Sequence, residues 1–373
     1  VGSTISTWHA HADTAAPGLV SGGEFAVLLA PSANRVYTEN AVEMLRGELS
    51  VFDQCLLAGT VSNIRVDAMA EAPCVRFAGE GLTARDVNCL MNLSSAYVLF
   101  SVHDGMLAPV TGRRLDRYDD DLLTILKYRG KTNEQFTKLL LNVTAAAMGS
   151  AESFLSRQLR VLDPLCGRGT TLNQAIMYGW DAYGIDIDKN DTETYAAFIR
   201  RWLKDKRLKH TVAESRLRRE GKTLGRRFSV EFAETKEAYK AGRSQTVDVV
   251  TADTVRSDDV HAAGSFDVIV ADAPYGVQHG GIHKGTAGSR ARLSRDPTAL
   301  LETAIPGWAR LLREGGAIGV AWNTLHTSRE DLVAIMTTCG LHVMGDDCYA
   351  GFRHRVDHAI DRDLIVARKL RPR

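Results

Sequence analysis

Nowhere in this 373-residue chain do eighteen apolar residues run together, and no basic stretch followed by an apolar run stands near its start. Neither a membrane span nor a secretory leader is expected. The six cysteines (Cys55, Cys74, Cys89, Cys166, Cys339 and Cys348) form no CxxC pair and lack the density of a disulfide scaffold. That excludes a zinc knuckle and points to reduced thiols in a cytoplasmic protein. Internal repeats and low-complexity tracts are missing too. The formal net charge is only +1, so total charge neither favours nor excludes a polyanionic partner, and its distribution must decide.

What is present is an ordinary globular composition, 45% hydrophobic and 24% charged, over a length that suits two packed domains. Residues 1–22 are small and polar and are expected to be a flexible tail. His9 and His11 stand there without a third ligand, His354 and His358 have no carboxylate or cysteine partners arranged around them, and no metal is expected. From Phe25 the pattern reads βαββαβ: a strand over 25–30, a helix over 39–56, strands near 64–70 and 74–78, a helix from Thr83 and a strand near 96–102. Residues 23–112 are therefore expected to form a ferredoxin-like α+β domain. Residues 113–158 form a helical connector, in which Lys131-Thr132-Asn133-Glu134-Gln135-Phe136 heads an apolar-periodic helix.

Residues 159–373 alternate strand and helix, the signature of a doubly wound, mostly parallel α/β sheet. Strands are expected at 160–162, 182–185, 247–251, 266–270 and 317–321. Two closing strands follow, Val343-Met344 through Tyr349 and Ala359 to Ala367, one of them antiparallel.

The chemistry concentrates at the strand ends. Asp163-Pro164-Leu165-Cys166-Gly167-Arg168-Gly169-Thr170-Thr171 follows a strand and opens a helix, where glycines admit a ligand to free N–H groups. Such a turn can bind a phosphate, but the P-loop lysine spacing is missing and the glycine pattern is shorter than a dinucleotide fingerprint; the alternative cargo is an amino-acid carboxylate. Asp186, before Ile187, ends the second strand where a carboxylate can hold ribose hydroxyls. Asp253, before Thr254, ends the third, where it can accept from an adenine amino group. Asp272-Ala273-Pro274-Tyr275-Gly276 ends the fourth with a carboxylate, outward carbonyls and an aromatic face, the parts that hold an exocyclic amine. Any one Asp could simply cap the next helix. Four on successive strand ends converge on the crevice where open α/β sheets bind ligands.

The series DPLCGRGT, GIDID, TAD and DAPYG resembles the class I S-adenosylmethionine-dependent N-methyltransferases (Rossmann-like fold). With DAPYGVQHG, KTNEQFT and HRVDHAIDRDLIVARK it looks like the THUMP-type tRNA guanosine-N2 methyltransferases over roughly residues 120–370. The resemblance implies S-adenosylmethionine as cofactor, S-adenosylhomocysteine as product and no metal. It places Asp163, Gly167 and Gly169 near the methionine part, Asp186 on the ribose and Asp253 on the adenine, with Thr132 and Phe136 closing over the cofactor. Cys166, Thr170, Ile187 and Thr254 join the cofactor set. Asp272 would accept from the target amine, a carbonyl of Ala273 or Pro274 would take its second N–H, and Tyr275 would stack on the base.

Two departures stand out. Ala273 replaces the first proline of the usual pair, and the segment before the catalytic part is too short for a THUMP domain beside the ferredoxin-like one. Residues 200–243 carry fifteen Lys or Arg against six Asp or Glu, interleaved with Trp202, Phe228 and Phe232. This basic insertion is a candidate nucleic-acid surface, with Arg218, Arg219, Arg226 and Arg227 as contacts, or else a packing face for a neighbour or a homodimer partner. His279 and Lys284, in the glycine-rich stretch after Tyr275, are candidate phosphate contacts. The expected activity is N2 methylation of guanosine in RNA, tRNA above all. DNA adenine-N6 or cytosine-N4, a protein glutamine or a small-molecule amine remain alternative acceptors, and a non-catalytic S-adenosylmethionine-binding protein is the alternative of another class.

Overall fold

A computed structural model describes residues 22–31, 35–128, 130–156, 158–219, 221–275, 297–345 and 347–371. The N-terminal part runs β1 (Gly23–Leu29), α1 (Arg35–Cys55), β2 (Thr60–Met69), β3 (Ala72–Glu80), α2 (Ala84–Leu90), β4 (Ala96–His103) and β5 (Met106–Pro109). Its sheet has the order β2-β3-β1-β4-β5, and each neighbouring pair is antiparallel. The expected βαββαβ order is present, and β5 extends it. All four residues of β5 are exposed, so no inward-outward alternation marked it in the sequence. A capping box starts α2: Thr83 Oγ1 accepts from Asp86 N–H at 3.2 Å, and the Asp86 carboxylate accepts from Thr83 N–H at 2.8 Å.

Three helices follow, α3 (Asp121–Thr124), α4 (Glu134–Ala146) and α5 (Ala151–Leu155). Asn133 caps α4 by accepting from Phe136 N–H at 3.1 Å. Next come β6 (Arg160–Asp163), α6 (Thr170–Tyr178), β7 (Asp181–Asp186), α7 (Lys189–Asp205), β8 (Lys209–Arg219), β9 (Lys222–Ala233), α8 (Lys236–Lys240), β10 (Gln245–Thr251), α9 (Ser257–Val260) and β11 (Phe266–Asp272). The chain closes with α10 (Pro297–Leu311), β12 (Leu312–Asn323), α11 (Arg329–Thr338), β13 (Leu341–Val343), β14 (His354–Arg355) and β15 (Asp361–Lys369).

The second sheet has the order β13-β15-β12-β11-β6-β7-β10-β9-β8, with β14 beside β15. The central strands β12, β11, β6, β7 and β10 are parallel, whereas β15 runs antiparallel to β12 and β13. Strand order reverses at β6, which puts a crevice outside the carboxyl ends of β6 and β11. The first closing strand stops at Val343, and Asp347–Tyr349 is a 3-10 turn. The basic segment 200–243 is neither loop nor mainly helix: past the end of α7 it folds as the hairpin β8–β9 and pairs with β10. Among the described residues no helix is long and apolar enough to cross a membrane.

Helix α4 ties the two sheets together. One apolar cluster runs from Phe25 and Phe52 through Leu139 to Trp180. On the side of the second sheet α4 lies so close to β12 that a Cβ on Gly319 would stand 1.9 Å from Thr144 Oγ1. On the other side the fully buried Glu48 of α1 accepts from Ser94 N–H (2.8 Å), Ser94 O–H (2.6 Å) and Asn142 Nδ2 of α4 (2.7 Å). Asn142 Oδ1 in turn accepts from the Tyr178 hydroxyl of α6 at 2.9 Å. Burial pushes the Glu48 carboxyl up to about 7, against the pull of its donors. Replacing Glu48 by Ala leaves the buried Ser94 N–H without its acceptor and should cost about 2–4 kcal/mol. Urea unfolding measures it, and a loss below about 0.5 kcal/mol would contradict the clamp.

Candidate functional site

Burial of charge shapes the carboxyl edge of the second sheet. Asp163, at the end of β6, is 3% exposed and accepts from Leu165 N–H at 3.0 Å. Desolvation, followed at a distance by the negative charges of Asp186 and Asp272, pushes its carboxyl up to about 7. Asp186, at the end of β7, spreads its two oxygens over Gly167 N–H and Asp188 N–H, both at 2.8 Å. Burial raises its pKa as well. This carboxylate therefore also pins the turn between β6 and α6.

The two glycines of that turn have different jobs. Gly167 is left-handed (φ +48°) and faces open space, which suits ligand approach. Gly169 (φ +79°) is required by packing instead, since a Cβ there would lie 2.3 Å from the Tyr195 ring. As N-cap of α6, Gly169 supplies no side-chain acceptor, so the first N–H groups of the helix are left to other partners. Thr170 Oγ1 is 3.1 Å from the Tyr128 hydroxyl, and Arg168 lies over the Tyr128 ring while pairing with Asp191 at 2.8 Å. Cys166 is buried against Gly184, and burial beside Asp186 and Asp163 lifts its thiol far above the ordinary value.

Asp253 follows β10 and accepts from Val255 N–H at 3.1 Å, the cap role anticipated as its alternative. It also lines a cavity of ≈ 260 Å³, together with Ile187, Thr223, Leu224, Ala252 and Arg256. Ile187 is 63% exposed at its mouth. Thr254 belongs elsewhere: it is buried, and its hydroxyl accepts from Trp308 Nε1 at 3.0 Å, so its neighbour in sequence reaches the cavity and it does not.

At the end of β11 the Asp272 carboxylate holds two hydroxyl donors, Thr132 on one oxygen and Tyr275 on the other. Ala273 explains the missing proline. Its N–H donates to Ala321 O at 2.8 Å, extending the β11–β12 ladder by a bond that proline cannot make. Pro274 is exposed. Asn323, ending β12, donates to the carbonyls of Tyr275 (3.3 Å) and Ala359 (2.9 Å) and fixes the turn from beneath. Trp322 is a core residue that donates to Thr327 O.

Arg362 was not singled out from the sequence. Its guanidinium lies between two rings, 4.4 Å from the centroid of Phe136 and 4.9 Å from that of Tyr275, and it is 6% exposed. Only its place in the closing HRVDHAIDRDLIVARK stretch carried a signal. Phe136 itself is fully buried against Arg362 and His354, so it supports the site from the core instead of covering it. Burial depresses His354 to about 4, which keeps it neutral.

His279, Lys284 and Gly276 lie outside the described residues. The basic hairpin departs from the expected charged and aromatic surface. Arg219 pairs with Asp259, Arg226 with Glu193 (3.3 Å) and Glu214 (3.4 Å), and Arg227 with Asp248 (3.3 Å). Glu193, Asp248 and Asp259 come from outside 200–243, so tertiary structure consumes much of an excess that sequence counting assigned to a partner. Trp202, Phe228 and Phe232 are buried. Arg218 is exposed near the hairpin turn. Among the described residues no group of three or more His, Cys, Asp or Glu is placed to hold a metal ion.

Residues 138–287 match the family model described as UPF0020: RMKL-like, methyltransferase domain. No protein among those with curated function matches the chain significantly. Similar solved structures include a TehB-like S-adenosylmethionine-dependent methyltransferase from Corynebacterium glutamicum (13% identity, 61% of this chain and 86% of that one, TM-score 0.32). Another is the 1,6-didemethyltoxoflavin-N1-methyltransferase of Burkholderia thailandensis (13% identity, 62% and 79%, TM-score 0.34). A third is PH1948 of Pyrococcus horikoshii, described as a candidate RNA methyltransferase (11% identity, 68% and 91%, TM-score 0.35). The match gives residues 138–287 a methyltransferase domain, set on a doubly wound, mostly parallel α/β sheet, and it spans the strand ends at or beside which Asp163, Asp186, Asp253 and Asp272 stand.

The raised carboxyl of Asp163 has a pH consequence with a definite sign. Between its ordinary value near 3.8 and about 7 the folded chain keeps a proton that the unfolded chain has released, so stability falls as pH rises through that window. Asp163→Asn removes this contribution. Unfolding followed from pH 5 to pH 8 should show a shallower decline for the variant, and parallel curves would contradict the assignment.

Proposed function

We propose that this chain transfers a methyl group from S-adenosylmethionine to the exocyclic amine of a nucleobase, N2 of guanosine in RNA, with tRNA as the favoured polymer. The observation that carries the reading is the state of Asp272: at the crevice, each oxygen of its carboxylate already accepts from a hydroxyl. An acceptor so placed suits a donor N–H. The hydroxyl of Tyr275 occupies one of these positions, and an incoming amine would take it over.

Bound in the crevice, S-adenosylmethionine supplies a methyl group activated by its sulfonium charge. The residues that fit it are Asp186 and the open face of Gly167 on one side, and Ile187 and Asp253 at the cavity on the other. What the chain contributes is alignment. Asp272 accepts one N–H of the amine and a carbonyl of the Ala273-Pro274 turn accepts the other, which turns the nitrogen lone pair out of conjugation and stabilises the positive charge it gains. The proton that nitrogen then loses passes to Asp272 or to solvent. Tyr275, backed by Arg362, offers the ring on which the base stacks. Support for a nucleic-acid acceptor comes from the exposed Arg218 near the hairpin turn, which projects from the same edge of the sheet as Asp272.

The reading is tested by transfer of isotope-labelled methyl to bulk tRNA, rRNA and DNA, followed by nucleoside mass spectrometry. Label should appear in N2-methylguanosine from RNA. Asp272→Ala should slow transfer roughly 100-fold while the cofactor still binds. Tyr275→Phe keeps the stacked ring and should retain turnover, whereas Tyr275→Ala should lose roughly tenfold. Preferential labelling of DNA would reject the RNA assignment. Transfer at the unaltered rate by Asp272→Ala would reject the amine acceptor.

A further inference from the structure

The hairpin β8–β9 carries a feature that its charge does not explain. Strand β9 runs antiparallel to β10, and their last paired residues are Thr251 and Arg226. Residues 222–225 therefore project past the end of β10, still paired with β8 through Leu217–Gly225, Arg218–Thr223 and Arg219–Lys222. That end is the ligand-binding edge of the sheet. The projection is held tightly: a Cβ on Gly225 would stand 2.0 Å from Thr251 O, so β9 can lie against the tip of β10 only with glycine at this position.

The projecting turn also bounds a space. Thr223 and Leu224 line the ≈ 260 Å³ cavity together with Ile187, Ala252, Asp253 and Arg256. Leu224 is half-buried, and Ile187 leaves 63% of its surface open. Two aliphatic side chains lining one cavity, with the Asp253 carboxylate and the Asp259-paired Arg256 beside them, suit a flat, apolar-faced ring that bears an amino group. Resting on the proposed cofactor role of the crevice, we propose that Leu224 of the hairpin is a cofactor-binding residue, which closes over the adenine ring of S-adenosylmethionine opposite Ile187. The hairpin thus completes the cofactor site, and its turn brings the exposed Arg218 to the same edge of the sheet.

Calorimetric titration of the full chain with S-adenosylhomocysteine and, separately, with adenosine tests this. Leu224→Ala should weaken both ligands by the same factor, about tenfold, because the lost contact is with the adenosine part alone. Leu224→Met, of similar volume, should restore affinity to within about twofold; a disturbance of the whole crevice would instead weaken S-adenosylhomocysteine more than adenosine. Asp186→Asn separates the two levels of the argument. If Asp186→Asn loses affinity while Leu224→Ala stays within about twofold of the unaltered chain, the hairpin proposal is overturned and the cofactor reading stands. If the unaltered chain binds neither ligand, or Asp186→Asn binds both as before, the cofactor reading fails and the proposal falls with it.

Discussion

Removal of carboxylates from water at the ends of parallel strands is the constraint on which the rest of this molecule depends. The charges of Asp186 and Asp272 both act on Asp163, and burial already disfavours ionisation of Asp163 and Asp186. A sheet edge of this kind is stable only if N–H and O–H donors converge on it. The Gly167 turn, the Thr132 hydroxyl before α4 and the Tyr275 hydroxyl after β11 provide them. Each comes from a different stretch of chain, so forming the site also fixes how the connector, the β6–α6 turn and the β11 turn meet.

Local periodicity made much of the fold legible. The strand and helix order of both sheets follows from alternation and from capping residues such as Thr83 and Asn133, whose partners lie within three residues. What escaped was of another kind. Strand β5 has no buried face, whereas β9 does carry the alternation of a half-buried strand at Phe228, Val230 and Phe232, a signal overlooked beside the excess of Lys and Arg around it. A hairpin that extends a sheet by pairing with β10 is a non-local fact, and counting lysines and arginines cannot reveal it. The same limit applies to the ion pairs of Arg219, Arg226 and Arg227, whose acidic partners include residues from α7, β10 and α9.

Of the site, the four aspartates could be placed from sequence because Asp163, Asp186 and Asp272 end recognisable strands and Asp253 follows one by two residues. Their neighbours were harder to sort. Thr254 and Ile187 each follow an aspartate, yet one bonds Trp308 in the core and the other opens onto the cavity. Gly167 and Gly169 look equivalent in the motif, although one faces open space and the other accommodates Tyr195. For Arg362 the sequence offered only its place in the closing HRVDHAIDRDLIVARK stretch, since its role between Phe136 and Tyr275 exists only once β15, α4 and the β11 turn come together. Ala273 illustrates the reverse: a departure from the expected Pro-Pro-Tyr pattern becomes intelligible when its N–H is seen to extend the β11–β12 ladder.

The central claim is that one crevice, at the carboxyl edge of β6, β7, β10 and β11, holds both the methyl donor and the acceptor amine. A crystal structure of the chain with S-adenosylhomocysteine tests it most directly. The ribose should lie against Asp186, the adenine between Ile187 and Leu224, and the sulfur should point toward Asp272. Density for the ligand at any other face of the sheet, or an adenine that leaves the Ile187–Leu224 cavity empty, would contradict it.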